Sequence, residues 1–207
     1  MTTGGMRNKL VMMVKEPVAG RVKTRLARET GTAAALRFYR TACANLIRRL
    51  GADPRWQLVL AVSPDRAVRS RAWPAGIVRI PQGPGDLGNR MGRLLRTRGP
   101  RATIIIGSDI PGIQPTHIAE AFRLLARSDA VFGPAADGGY WLVGMKPDRP
   151  APDMFCNVRW SSPHALEDTL ANLDGRKVSF TETLEDVDDA ASLSRIGHLG
   201  MRVTPAR

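Results

Sequence analysis

Two groups of charged residues have the types and the spacing needed to bind a phosphorylated ligand. Asp109 comes three residues after the apolar run Thr103–Ile106, which lacks polar alternation and is therefore typical of a strand buried on both faces. Ligands of open α/β sheets bind at the carboxyl ends of strands, where a carboxylate can hold a divalent metal. The second group is a basic loop over residues 15–26, whose first eleven residues include four cations: Lys15, Arg21, Lys23 and Arg25. Together the two groups predict a site for a nucleotide diphosphate.

Both groups also have simpler explanations. The basic loop, which Pro17 and Gly20 interrupt, contains neither the Gly-x-x-x-x-Gly-Lys-[Ser/Thr] pattern nor Gly-x-Gly-x-x-Gly. On charge alone it is an ordinary solvated loop. Asp109 precedes Ile110 and Pro111, and such a sequence commonly starts a turn. The residues by themselves are equally compatible with a turn and with a metal ligand at Asp109.

The segment 133–140 ends in Asp137, Gly138, Gly139 and Tyr140 and lies between two apolar runs. Asp-Gly in that setting is a strong hairpin signal, because glycine accepts a positive φ. A hairpin accounts for the glycines but not for Asp137 or Tyr140. A ligand that runs over the glycines would account for all four residues, since glycine lets a backbone approach closely.

An acidic run at residues 185–189 stands out in a basic protein, with four acids in five residues. Asp188 or Asp189 can cap the final helix, because a carboxylate there accepts hydrogen bonds from free backbone N–H groups. The other acids, Asp186 included, can complete a metal site with Asp109.

A glycine-rich run at residues 81–91 precedes a helix and includes Asp86 and Arg90. It can line a nucleotide pocket, or it can be a flexible surface turn. Residues 160–163, Trp-Ser-Ser-Pro, are typical of the entry to a helix, with a serine as its cap.

The elements that must position these residues alternate between strand and helix. Apolar runs predict strands at residues 10–14, 56–62, 77–80, 103–106, 130–132, 140–145 and 178–180. Apolar residues at helical spacing and cap signals predict helices at 32–50, 87–98, 115–126, 163–173 and 189–196. The alternation predicts a single three-layer α/β domain with its core over about residues 9–198. An antiparallel strand at 140–145 would make the mostly parallel sheet mixed. Residues 1–8 and 204–207 are expected to be loose tails.

Composition narrows the classes of function. The net charge is +12, from 31 Lys+Arg against 19 Asp+Glu, and this balance attracts polyanions. The arginines are scattered, however, and only 5% of residues are aromatic, so a platform for stacking single-stranded nucleic acid is poorly supplied. No apolar run approaches the length of a membrane span, and the N-terminus lacks the apolar region of a secretory signal. Two cysteines without ligand spacing disfavour a disulfide framework and structural zinc, and they indicate a reducing cytoplasm.

Taken in order, these segments resemble one known family. The series is Lys15-x-Pro17-x-x-Gly20-x-Val22-Lys23-Thr24-Arg25-Leu26, Gly85-Asp86-Leu87-Gly88-x-Arg90-Met91, Gly107-Ser108-Asp109-x-Pro111, Gly133-Pro134-Ala135-x-Asp137-Gly138-Gly139-Tyr140, Trp160-Ser161 and Asp186-Val187-Asp188. It is similar to a bacterial family of small GT-A-like proteins regarded as candidate glycosyltransferases and in part linked to arsenosugar biosynthesis. Their wider relatives are the nucleotide-diphospho-sugar transferases. The resemblance covers about residues 10–196, and the fixed order of the motifs makes it specific at family level.

The resemblance implies a Rossmann-like GT-A fold that binds a nucleotide diphosphate at the strand tips with Mg²⁺ or Mn²⁺. Lys23 and Arg25 match residues that neutralise the phosphates of the nucleotide. Asp109 matches the metal-binding acid, and Asp188 or Asp186 matches a late acid near the metal. The remaining ligand-binding positions that it implies are Lys15, Gly20, Asp86, Arg90, Gly138, Gly139 and Tyr140.

Three segments depart from the family pattern. Ala136 stands where an acid commonly precedes Asp-Gly-Gly-Tyr, and Asn45 stands where the first long helix usually carries Asp. The last motif continues with Asp189 and Ser192 instead of Thr and a further acid. These departures bear on the identity of the acceptor more than on the nucleotide site.

The leading hypothesis is metal-dependent transfer of a sugar from a nucleotide-diphosphate sugar to a small-molecule acceptor. If the reaction inverts at the anomeric carbon, a carboxylate should deprotonate the acceptor hydroxyl, and Asp137 is the candidate. The alternative is nucleotidyl transfer with release of pyrophosphate, as in molybdenum-cofactor and 2-phospholactate guanylyltransferases. A third hypothesis is a non-catalytic protein that binds nucleotide or nucleic acid. The enzyme hypotheses require Asp109 to lie close to Lys23 and Arg25.

Overall fold

The structure of the protein is a computed structural model that describes residues 7–96, 102–146 and 153–197. The strands in these ranges are β1 (Asn8–Lys15), β2 (Trp56–Ser63), β3 (Val78–Pro81), β4 (Thr103–Ile106), β5 (Ala130–Pro134), β6 (Tyr140–Met145) and β7 (Val178–Phe180). They form one sheet in the order β3-β2-β1-β4-β6-β5-β7. Strand β6 runs antiparallel to β4 and β5, and the other neighbouring pairs are parallel. The predicted mixed, mostly parallel sheet is confirmed.

The helices of the described residues are α1 (Thr24–Thr30), α2 (Thr32–Gly51), α3 (Leu87–Leu95), α4 (Pro115–Leu125), α5 (Ala165–Ala171) and α6 (Ala190–Gly197). A 3₁₀ turn covers Asp65–Arg69. Among these helices, none combines the length and the apolarity that a membrane span requires.

The long elements agree with the sequence predictions, and the differences lie at ends and in the basic loop. Helix α3 ends at Leu95, while the predicted end at 98 lies outside the described residues. Helix α5 covers only the middle of the predicted 163–173. The prediction of a loose tail is wrong for Asn8, which pairs with Trp56 in the sheet. The rest of both predicted tails, apart from Arg7, lies outside the described residues.

The sheet is the middle of three layers, because both of its faces are covered. Side chains alternate along a strand, so Leu10 and Ile104 pack on one side in a cluster that includes helices α2 and α4. Val11 and Ile105 pack on the other side with helix α3 and the segment around Phe155. All four residues of β4 are buried, which explains why its sequence is apolar without alternation.

The pairing of β1 with β4 places two chemically different segments side by side. The two strands are parallel and adjacent, so their carboxyl ends meet at one edge of the sheet. The basic loop leaves β1 after Lys15, and the segment with Asp109 leaves β4 after Ile106. The fold therefore brings these two segments to the same edge.

Candidate functional site

The basic loop and the acids meet through Lys23. Its Nζ donates hydrogen bonds to Asp109 Oδ2 at 3.2 Å and to Asp188 Oδ1 at 2.8 Å. The Lys23 side chain is only 6% exposed, whereas those of Asp109 and Asp188 are 41% and 43% exposed. Arg25 lies on the outside of this group, with Nη1 3.5 Å from Asp188 Oδ2. The predicted convergence of Asp109, Lys23 and Arg25 is confirmed.

The backbone at Lys23 is bent to make this contact. Its φ of 46° and ψ of 50° place it in the left-handed region, immediately before helix α1. For a residue with a Cβ this conformation costs about 1–2 kcal/mol. Its carbonyl accepts the N–H of Ala27 at 2.8 Å, which joins the bend to the first turn of the helix.

Asp186 is the third acid of the group. One carboxylate oxygen from each of Asp109, Asp186 and Asp188 can be chosen so that all three lie within 4.8 Å of one another; we call these three residues the acid cluster. Burial and the charges of Asp188 and Asp109 together raise the pKa of the Asp186 carboxyl to about 6, although Lys23 opposes the shift. The acid cluster is therefore short of positive charge.

The position of the late acids follows from the residue between them. Val187 is fully buried in an apolar cluster that includes Leu26 of helix α1. Its N–H donates to the carbonyl of Asp109 at 3.2 Å. This anchor holds Asp186 and Asp188 against the segment that follows β4.

The oxygens of the acid cluster fit a divalent cation of the Mg²⁺ type. In octahedral Mg²⁺ coordination, adjacent ligand oxygens are about 3 Å apart. One oxygen from each acid lies within 4.8 Å of the other two, so the side chains would move closer together to hold the ion. Carboxylate oxygens are also the ligands that Mg²⁺ and Mn²⁺ prefer.

A buried tyrosine beneath the site was missed as a functional candidate. The Tyr39 hydroxyl accepts the N–H of Lys15 at 2.8 Å and lies 3.1 Å from its carbonyl, to which it can donate. It also lies 3.4 Å from Ser108 Oγ, next to Asp109. Burial raises the pKa of the Tyr39 hydroxyl and raises that of the neighbouring Cys43 thiol to about 11, so both stay neutral. Tyr39 therefore ties the end of β1 to the segment after β4.

The basic loop also carries three exposed cations. Lys15, Arg21 and Arg25 are exposed, and neither Lys15 nor Arg21 forms an ion pair with any residue that the structure describes. Gly20 has a φ of 75°, which only glycine adopts without strain. The loop thus presents unpaired positive charge beside the acid cluster.

The turn at Asp137–Tyr140 has a packing explanation for two of its residues. Gly138 has a φ of 85°, and a Cβ there would lie 2.2 Å from the carbonyl oxygen of Pro163. The ring of Tyr140 packs edge-on against Phe132 and Trp160, at centroid distances of 5.2 and 6.4 Å. The predicted ligand roles of Gly138, Gly139 and Tyr140 remain predictions.

Other contacts of this turn are local or electrostatic. The Tyr140 hydroxyl lies 3.4 Å from Thr169 Oγ1 in helix α5. The N–H of Gly139 donates to Asp137 Oδ1 at 2.9 Å. The charge of Asp137 is also among the causes that raise the pKa of Asp186. The charge of Asp137 therefore acts on the acid cluster, and its predicted role as a base remains a prediction.

The glycine-rich run is used to build helix α3. Asp86 caps the helix by accepting the N–H of Asn89 at 2.8 Å, and Arg90 Nε donates to the Gly85 carbonyl at 2.9 Å. Within the described residues no hydrogen bond or ion pair joins Asp86 or Arg90 to the acid cluster. Their predicted ligand roles remain predictions.

Gln82 is another buried polar residue that the sequence did not indicate. It is 4% exposed, and its Nε2 donates to the carbonyls of Val14 and Ala61 at 3.1 and 2.9 Å. These carbonyls lie near the ends of β1 and β2, so Gln82 joins the two strands at the edge that carries the site.

A comparison with known families assigns the chain. The family model DUF2064, described as an uncharacterized protein conserved in bacteria, matches residues 46–162, which is more than half of the 207 residues. The chain belongs to the DUF2064 family. The matched residues of this DUF2064 protein include Asp109 and the Asp137–Tyr140 turn. A search of curated proteins found no match.

Solved structures share the fold. A proposed nucleotide-diphospho-sugar transferase from Desulfovibrio desulfuricans G20 is 25% identical with a TM-score of 0.86, over 97% of this chain and 90% of that one. The CMP:2-keto-3-deoxy-manno-octonic acid synthetase complexed with CTP is 12% identical with a TM-score of 0.58, over 93% and 98%. The 4-diphosphocytidyl-2C-methyl-D-erythritol synthase from Anaerococcus prevotii DSM 20548 is 7% identical with a TM-score of 0.58, over 95% and 99%. The last two likenesses concern the fold alone, and the predicted three-layer α/β fold of nucleotide-diphospho-sugar transferases is confirmed.

Proposed function

We propose that the protein is a metal-dependent transferase that uses a nucleotide-diphosphate sugar as donor and a small molecule as acceptor. The observation that carries the proposal is the convergence of Lys23 with Asp109 and Asp188, at 3.2 and 2.8 Å. It places a buried cation, three carboxylates and an exposed basic loop at one edge of the sheet. The likeness to the proposed nucleotide-diphospho-sugar transferase of Desulfovibrio desulfuricans G20 supports the same reading.

The acid cluster is the proposed metal site. Asp109, Asp186 and Asp188 would hold Mg²⁺ or Mn²⁺, and a bound metal would neutralise charge on the two phosphates of the donor. Lys23 and Arg25 provide positive charge where the leaving diphosphate becomes more negative, which is the electrostatic contribution that usually dominates such catalysis. The exposed Lys15 and Arg21 attract the phosphates to this edge.

Asp137 is the proposed base on the acceptor side. A carboxylate can take the proton of an acceptor hydroxyl if it lies within hydrogen-bond reach. Asp137 is close enough to Asp186 to influence its pKa, and its turn is fixed by the contact of Gly138 with Pro163. An acceptor bound over this turn would therefore meet a positioned carboxylate.

Nucleotidyl transfer is the second candidate. The fold is shared with the synthetase complexed with CTP and with the diphosphocytidyl-methylerythritol synthase, and one fold hosts many activities. The same cations and metal would serve an attack on the α-phosphate of a nucleoside triphosphate. The products separate the two reactions, because a glycosyl transfer releases a nucleoside diphosphate and a nucleotidyl transfer releases pyrophosphate.

A thermal-shift panel tests the proposal most directly. The protein is melted with nucleoside triphosphates, diphosphates and nucleotide-diphosphate sugars, each with and without Mg²⁺ or Mn²⁺. A ligand at a hundred times its Kd should add about 2.7 kcal/mol to the free energy of unfolding. At least one diphosphate or nucleotide sugar should raise the melting temperature, and more strongly with metal. If no nucleotide does so under any metal condition, the proposal is wrong.

A further inference from the structure

Lys23 lies where a metal in the acid cluster would have to bind. Its ammonium contacts the oxygens of Asp109 and Asp188, which are two of the three carboxylates that form the cluster. Only 6% of the Lys23 side chain is exposed, so solvent barely reaches it, while 71% of the Arg25 side chain is exposed. Lys23, and not Arg25, is therefore the cation that is embedded among the acids.

We propose that Lys23 and a divalent metal compete for the acid cluster, and that a diphosphate group resolves the competition by taking the Lys23 ammonium. This inference rests on the proposed function, because it assumes that the acid cluster binds a metal. Without ligand, Lys23 is the counter-ion of Asp109 and Asp188. With a diphosphate present, Lys23 exchanges these carboxylates for phosphate oxygens and leaves the carboxylates to the metal.

The geometry makes simultaneous occupancy unfavourable. A metal would approach the carboxylate oxygens to about 2.1 Å, and the same residues hold Nζ at 2.8 and 3.2 Å. The two cations would then lie within a few ångströms of each other at a half-buried site, where repulsion is screened less than in bulk water. The metal alone must displace Lys23 and leave its charge without a partner.

A diphosphate changes this balance because it brings its own negative charges. The lysine side chain has a long flexible stem and three rotatable donors, so it can move to a new anionic partner without moving its backbone. Ammonium-to-phosphate hydrogen bonds are of the strong, charge-assisted kind. The exposed Lys15 and Arg21 lie in the same loop and would draw the diphosphate towards it. Metal and diphosphate are therefore expected to strengthen each other's binding through Lys23.

The first experiment measures the Mn²⁺ retained by the protein in equilibrium dialysis, in which free Mn²⁺ and its pyrophosphate complex both cross the membrane. The wild type and Lys23→Met are titrated with Mn²⁺, alone and with saturating inorganic pyrophosphate. Arg28→Met is the matched control, because Arg28 is an exposed cation in helix α1 outside the site. Without pyrophosphate, Lys23→Met should bind Mn²⁺ at least tenfold more tightly than the wild type, and Arg28→Met should behave as the wild type. With pyrophosphate, the gap between Lys23→Met and the wild type should fall to threefold or less.

The outcomes separate this inference from the proposed function. If pyrophosphate and Mn²⁺ bind the wild type together but Lys23→Met binds Mn²⁺ alone no more tightly than the wild type, the competition is disproved and the metal site stands. If Mn²⁺ binds no variant under either condition, the metal site is disproved and the inference falls with it. Circular dichroism shows whether Lys23→Met is folded.

A second measurement uses the wild type and does not depend on the folding of a variant. Amine acetylation of Lys23 is followed by mass spectrometry, with Lys177, which is exposed and outside the site, as internal reference. Mg²⁺ alone at saturating concentration should raise the labelling of Lys23 relative to Lys177 severalfold, because the ammonium leaves the carboxylates. Mg²⁺ with pyrophosphate should return it to the low level. Labelling of Lys23 that does not respond to Mg²⁺ would overturn the competition.

Discussion

The sequence indicates both the acid cluster and the Asp137–Tyr140 turn as candidate ligand-binding segments. In the structure, however, different interactions hold the two regions in place. In the acid cluster, charges face one another with too little positive charge to balance them, and burial and like charge raise the pKa of Asp186 to about 6. In the turn, Gly138 fits against Pro163 and the ring of Tyr140 packs against Phe132 and Trp160. The carboxylates of the acid cluster thus have too little counter-charge among the described residues, whereas the turn has close packing partners within the fold.

The difference separates residues that serve a ligand from residues that serve packing. A charged group without enough counter-charge at a sheet edge lowers the stability of the fold. Its presence there therefore indicates a role in binding or catalysis. A glycine or an aromatic ring with close internal partners needs no ligand to explain it. By this criterion we predict that Asp109, Asp186 and Asp188 serve a ligand, whereas packing by itself accounts for Gly138 and Tyr140.

The largest expected effect is that of Asp109→Asn on the response to metal. A nucleotide at a hundred times its Kd should stabilise the wild type by about 2.7 kcal/mol. The substitution removes one of three carboxylates, so the part of this stabilisation that depends on metal should disappear. The metal-free stability should change by less than about 1 kcal/mol, because the partly exposed ion pair with Lys23 contributes little. Asp174→Asn is the control, since Asp174 is exposed and outside the cluster. A retained metal response would remove Asp109 from the metal site.

Gly138→Ala should lower the free energy of unfolding by about 3 kcal/mol, since a positive φ costs a Cβ-bearing residue about 1–2 kcal/mol and overpacking about 1–3. Gly175→Ala is the matched control, because Gly175 has a φ of 70° but nothing within 4 Å of an added Cβ. It should lose only about 1 kcal/mol. Urea denaturation measures both. Equal losses of stability in Gly138→Ala and Gly175→Ala would show that a clash with Pro163 does not contribute.

Tyr140→Phe should have a smaller effect, because it removes the hydroxyl near Thr169 and keeps the ring contacts. The expected loss of stability is about 0.5–1.5 kcal/mol, the usual net value of one hydrogen bond. The nucleotide-induced shift should be the same as in the wild type. A weaker nucleotide response at equal folded fraction would instead support the ligand role that the family resemblance implies for Tyr140.

The smallest effect concerns pH and the ion pair that holds the segment before Pro163. Arg159 donates a side-chain hydrogen bond to Asp168, and its backbone N–H does the same, which lowers the pKa of the Asp168 carboxyl to about 2. A lowered pKa means that the stabilisation is complete above the ordinary pKa of 3.8 and is lost as the pH falls towards 2. The stability difference between the wild type and Asp168→Asn should be constant from about pH 7 to 5 and shrink below pH 4. Chemical denaturation across this range checks it, and a difference that persists undiminished at pH 2.5 would contradict it.

The sequence predicts the parts of the fold that depend on neighbouring residues. The four residues of β4 are apolar without alternation, and all four are buried, so burial on both faces was evident from their types alone. Helix α2 carries a regular apolar stripe, and its buried face follows that stripe. In both cases the signal and its cause lie within one element.

The sequence did not predict helix α1 or the role of Tyr39, because neither has a local signal. Helix α1 has seven residues and buries only Leu26 fully, so no periodic stripe reveals it. Tyr39 is one of several apolar residues on α2, and its hydroxyl finds its partners at Lys15 and Ser108, far away in the chain. Asp86 was predicted to bind a ligand, and the structure shows that it caps helix α3. Its ligand role remains a prediction.

The double contact of Tyr39 with Lys15 also determines where the loop can open. The hydroxyl holds both the N–H and the carbonyl of Lys15, so the chain cannot change direction at that residue without breaking two partly buried hydrogen bonds. Any rearrangement of the loop around a ligand is therefore expected beyond Lys15, while the end of β1 stays in place.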